Sequence, residues 1–137
     1  MINKKHQFII IAAIVLLLFA GVTISNIQNA VAQSPPLTGK WRGTNDGSIY
    51  YIRQVGNKIF WIGFSGKDDG KWWSNVFTGT VQPGSKTIVG NWADVPRGTA
   101  PLGVGTLTLA IENSFRFHKF STTGSFFGTN QWVKLGF

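Results

Sequence analysis

Cysteine is absent from all 137 residues. No disulfide can staple the chain and no lipid-modified thiol can tether it, so stability has to come from packing. Acidic residues are scarce, five Asp and Glu against 13 Lys and Arg, and histidine occurs twice. Beyond residue 32 only His118 and Glu112 represent their types, and no Gly-x-Ser-x-Gly elbow is present. His118 sits beside Arg116 and Lys119, where a surface or packed imidazole is the ordinary reading, so general acid–base chemistry has little to work with. One His cannot make a zinc site, and Asp46, Asp68 and Asp69 lack the alternating spacing of a calcium loop. Gly103-x-Gly105 lacks the third glycine of a phosphate-binding turn and opens a strand rather than a helix. The expectation is a protein that is not an enzyme and that carries no cofactor and no metal.

Sustained 3.6-residue apolar periods are also missing after the leader, which excludes a helical domain. The leader itself is distinct. Lys4, Lys5 and His6 precede an uninterrupted apolar run from Phe8 to Val22, and Ala30-Val31-Ala32 forms a small-x-small site before Gln33. This pattern predicts a signal peptide over 1–32 and a protein outside the cytoplasmic membrane. Extended through Thr23 and Ile24 the run is long for a signal core, so a membrane anchor over 8–24 is the rival, although it falls short of the ~20 residues that span a bilayer comfortably. Membrane attachment is expected only through that segment. Two cations lie in the leader, leaving 11 Lys and Arg against 5 acids, a charge of +6. That excess serves solubility and favours anionic partners such as a cell-surface polymer. Nucleic acid is not expected, because stacking aromatics on a basic barrel would suit single strands but export argues against it.

What is abundant is β-branched and aromatic sequence divided by turns. Residues 33–38, with Ser-Pro-Pro, read as an extended linker. From Gly39 to Phe64 the chain predicts three strands joined by Asn45-Asp46-Gly47 and by the two-residue turn Gly56-Asn57. Further strands are predicted over Trp72 to Val81, Lys86 to Asp94, Val104 to Ile111, Phe115 to Phe120 and Gly128 to Leu135, with Pro83-Gly84 as a type II turn signal. The fold expected over 39–137 is all-β: eight antiparallel strands in an up-and-down meander barrel, favoured over a two-sheet sandwich because the strands lack edge-protecting prolines and inward charges. Alternate loops divide into a tight set and a set holding the two longest, so the end with the long loops should be the mouth.

Gly39-x-Trp41 at the start of such a barrel resembles the opening of lipocalins and avidins, the calycin group. In lipocalins this Trp packs across the closed end under a basic residue from late in the barrel, a role the resemblance implies for Lys134. Thr129-Asn130-Gln131-Trp132 is similar to a late strand of avidin-type proteins. No lipocalin-like C-terminal helix follows, Gly43 stands where avidins place Asn, and no Asp-bearing terminal strand follows Trp132, so biotin binding is not carried over. Residues 39–135, with their NDGS, YYIRQVGN, NVFTG and NWADVP blocks, are also similar to small secreted prokaryotic proteins of unassigned function.

Indole faces with a few amide and carboxylate groups suit a small-molecule or glycan site, and Trp73, Asn75, Trp92, Asp94 and Asn130 are the residues expected to form one at the mouth. Arg97 is the nearest pairing partner for Asp94. If these faces point inward, the function expected is an exported binding barrel for a small apolar or amphipathic ligand. If they point outward, the same residues make a structural or adhesive surface module that binds glycan or an anionic polymer through exposed aromatics. Strand phase alone leaves both open.

Overall fold

The computed structural model describes residues 36–136; the predicted leader and the first half of the predicted linker lie outside the described residues. Eight strands follow one another: β1 (Gly39–Gly43), β2 (Ile49–Val55), β3 (Lys58–Phe64), β4 (Ser74–Val81), β5 (Thr87–Val95), β6 (Val104–Asn113), β7 (Arg116–Gly124) and β8 (Gln131–Gly136). Each pairs antiparallel with its neighbours in sequence, and β1 pairs with β8, with Trp41 opposite Lys134, closing the barrel. The expected up-and-down barrel is therefore what the chain forms, and neither β1 nor β8 is left as a free edge.

The turns form for the reasons read in the sequence. Gly47, Gly56 and Gly84 adopt φ of 69°, 58° and 68°, the left-handed values that a residue without Cβ takes at little cost. Strand limits differ by a residue or two at several ends, and three ends stand out. Trp72 and Trp73 belong to the loop before β4, where Ser65 Oγ accepts the Trp72 N–H at 3.1 Å. β7 runs on to Gly124 because the register shifts between Thr108 and Leu109, a bulge that accommodates Phe120 and lets pairing with β6 continue. β8 starts only at Gln131, so residues 128–130 are loop.

Inward positions alternate between large rings and glycines. Trp61 stacks on Phe77 at 4.1 Å and Phe117 on Trp132 at 4.9 Å, while Tyr50 meets Trp61 and Trp132 edge-on at 5.4 and 5.7 Å. Glycines make room for them. A Cβ on Gly63 would fall 2.6 Å from Tyr50 Cδ1, and one on Gly90 2.6 Å from Phe77 Cζ. Small and large side chains thus fill the bore below the mouth as a jigsaw.

Trp41 lies at the end opposite the long loops and is fully buried. Its indole N–H donates to Leu37 O at 2.8 Å, Phe117 packs 4.8 Å away, and the Lys134 ammonium lies 5.8 Å over the ring. Leu37, within the stretch read as linker, is itself fully buried, and its N–H donates to Gln54 Oε1 at 2.8 Å. The chain enters the barrel by plugging its closed end.

Candidate functional site at the barrel mouth

Because β4 and β5 are in register, Asn75 pairs with Asp94 and Phe77 with Trp92, and all four point into the bore. Above the aromatic block Asn75, Trp92 and Asp94 help bound a cavity of about 350 Å³. Trp92 and Phe127 form its floor, with ring centroids 4.8 Å apart at 76°. Trp73, half-buried 6.3 Å from Tyr50, makes a wall. Trp72, Ala100, Pro101 and Phe126 ring the opening.

Four of the five expected residues, Trp73, Asn75, Trp92 and Asp94, line this one cavity. Asn130 does not. It is exposed and faces away, because β8 starts after it and the alternation that aligns it with Trp132 does not extend into the loop. Its neighbour Thr129 takes the inward position, 1% exposed. Arg97 does not pair with Asp94 either, but lies with its guanidinium 5.0 Å over the Phe64 ring on the outer surface. Of the two phenylalanines in the last mouth loop, Phe127 is tucked inside at 3% exposure and Phe126 stands out at 87%, so the mouth is floored but not closed.

The polar groups are fixed by their neighbours. Trp61 Nε1, which can only donate, lies 3.0 Å from Asn75 Oδ1, and this orients the amide. Nδ2 is then left as a donor at the cavity wall. Asp94 Oδ2 accepts the Gly103 N–H at 2.8 Å, yet partial burial pushes its carboxyl above the ordinary range and outweighs that bond. Thr129 Oγ1 donates to Asp46 Oδ2 at 2.7 Å, so the 2.7 Å contact with Tyr50 is the phenol donating to Thr129. Ser48 Oγ donates to Asp46 as well. Burial, above all, holds the Tyr50 phenol neutral far beyond its usual range. Trp92 Nε1 is buried and finds no hydrogen-bond acceptor among the described residues, which leaves an unsatisfied donor in a residue that floors the cavity.

Asp46, Tyr50 and Thr129 were not read from the sequence as site residues. The Tyr50-Tyr51 doublet hides which ring is inward, although Ile52 in phase with Tyr50 was a usable signal. His118 lies on the outer face, with Nδ1 3.0 Å from Glu112 Oε1, remote from the cavity.

Glycines also lock the rim. A Cβ on Gly66 would fall 2.6 Å from Asp46 O, and one on Gly103 2.9 Å from Ser125 Cβ, so neighbouring mouth loops touch with no slack between them.

Fold and site together define a closed eight-stranded antiparallel barrel with a buried aromatic cluster and an aromatic-walled mouth, an architecture consistent with the calycin-like plan. Compared with known proteins, the chain matches no family model, no curated protein and no solved structure.

Proposed function

We propose that this is an exported, non-enzymatic calycin-like barrel that holds one small apolar or amphipathic molecule in its mouth. The observation that carries the reading is the cavity of about 350 Å³, walled by indole and phenyl rings with Asn75 and Asp94 converging on it. Its size lies at the low end of ligand sites, roughly 300–1,000 Å³, and suits a compact molecule rather than a long acyl chain. The amide donor of Asn75 would orient a carbonyl or hydroxyl on the ligand, and Asp94, protonated or not, would take up a second polar group.

The test is thermal-shift and fluorescence titration with N-phenylnaphthylamine, a neutral fluorophore. Occupancy should raise the melting temperature as ligand exceeds its dissociation constant. Trp92→Ala should abolish the shift and Asp94→Asn weaken it; a probe that binds both variants as it binds the native chain would sink the reading. Sequencing the N-terminus of cell-derived protein tests export: Gln33 first supports cleavage after Ala32, and an intact leader on membrane-bound protein supports the anchor over 8–24.

A further inference from the structure

Tyr50 and Tyr51 are consecutive on β2, and each serves a different side of the barrel wall. Behind the mouth cavity, on the outer surface, lies an open cleft of about 380 Å³. Ile49, Tyr51 and Phe64 form its base, and the loop between β3 and β4 overhangs it through Ser65, Gly66 and Gly70. That overhang is fixed in place: a Cβ on Gly66 would meet Gly47 O at 2.6 Å. The two rings stand edge to face, centroids 6.4 Å apart at 73°, and Tyr51 is 50% exposed. Each ring carries a cation. Lys40 Nζ lies 5.9 Å from the centre of Tyr51, and Arg97 Cζ 5.0 Å from the centre of Phe64. Neither cation has an ion-pair partner among the described residues. Asp69 completes the lining, its carboxylate exposed and its backbone turned to φ 54°.

We infer that this cleft is a second binding site, for a carboxylate-bearing sugar of an acidic polysaccharide. The argument rests on the pairing of functions at one place and stands apart from the reading of the mouth. A pyranose presents an apolar C–H face that packs on an aromatic ring, and Tyr51 offers a half-exposed one. An uncharged sugar would need no more than that. Two unpaired cations beside the same two rings add a requirement for negative charge, and a guanidinium offers the planar fork that a carboxylate accepts at two points. Asp69 supplies an acceptor for hydroxyls while repelling any ligand that is anionic all round, so the cleft suits a molecule with one acid group and several hydroxyls. A purely apolar molecule would leave both cations and Asp69 unused. The overhanging loop lets the cleft exist before the sugar arrives, which lowers the ordering cost of binding.

Titration calorimetry of the full chain tests this, with a short oligogalacturonate and an uncharged oligosaccharide of equal length. The acidic sugar should bind at least about tenfold more tightly than the neutral one, a difference of about 1.4 kcal/mol. Added salt should weaken the acidic sugar alone. The double variant Lys40→Ala, Arg97→Ala should lose the preference, and Tyr51→Ala should weaken both sugars, while N-phenylnaphthylamine binds the double variant as it binds the native chain. Equal affinity for the two sugars, no binding of either, or full retention by the double variant would overturn the inference. So would displacement of the sugar by an equal concentration of inorganic phosphate, which would make the cleft a simple anion site.

Discussion

Gly63→Ala adds a single methyl group, and the structure makes it a severe change. Gly63 is inward on β3, opposite Tyr50 on one side and Asn75 on the other. The new Cβ would lie 2.6 Å from Tyr50 Cδ1, closer still to Cε1, and 2.7 Å from Asn75 Oδ1. Tyr50 cannot swing away, because its ring is wedged against Trp61 and Trp132 and its hydroxyl is bonded to Thr129. Asn75 cannot move without freeing the Trp61 N–H. Overpacking ordinarily costs about 1–3 kcal/mol, and with two blocked neighbours the upper half of that range applies, about 2 kcal/mol or more. For a domain of this size that corresponds to a fall of roughly 8–16 °C in melting temperature. Circular dichroism melts of the native chain and the variant measure it. Gly128→Ala is the control, since its Cβ meets only Phe126 Cε1 at 3.7 Å and its φ is not in the left-handed range. A Gly63→Ala melt within the error of the Gly128→Ala melt would refute the claim that glycines are seats for the rings.

Trp41→Ala should cost about 3–5 kcal/mol, the usual loss for a buried large ring, read from denaturant midpoints at constant slope. Because the folded barrel holds Tyr50 neutral beyond the phenol's ordinary value of 10.0, its stability should fall as pH climbs past that value, where only the unfolded phenol ionises. Alkaline titration should then show one tyrosine gaining phenolate absorbance in step with loss of near-ultraviolet dichroism; earlier ionisation with the fold intact would contradict this. For Asp94 the folded carboxyl titrates above its unfolded value of 3.8, so the folded state binds the proton more tightly and stability is lost as pH rises through that interval. The melting-temperature advantage of Asp94→Asn over the native chain should accordingly grow with pH, and an advantage independent of pH would count against the assignment.

Much of the barrel was legible because its signals are local. A turn such as Gly56-Asn57 announces itself by residue type, and the alternation in Leu107, Leu109 and Ile111 survives intact as buried positions. The loop-length argument located the mouth, and with it Trp73, Asn75, Trp92 and Asp94. What failed was phase across irregularities. Asn130 falls in the stretch predicted as strand from Gly128, yet residues 128–130 are loop and turn it outward, and the Phe120 bulge conceals the last four residues of β7. Thr129, Tyr50 and Asp46 act as a group only because loop and strands distant in sequence meet at the rim, and no spacing in the chain encodes that meeting.

The seam between β7 and β8 is unlike the others. Only Arg116, Phe117 and His118 are paired across it, with Val133, Trp132 and Gln131, and above them the two strands part. The gap is bridged by Lys119, whose N–H donates to Asn130 O at 2.8 Å and whose ammonium donates to Phe127 O at 2.6 Å. With the fewest paired residues of the eight seams, this is where the wall is expected to give way first when the barrel breathes. Such local openings occur on the microsecond to second range and cost far less than global unfolding. An opening at this seam would lift Phe127 off Trp92 and connect the cavity to solvent sideways, between strands. Sideways access to the cavity would then depend on how tightly one lysine holds one carbonyl, and not on the width of the opening above it.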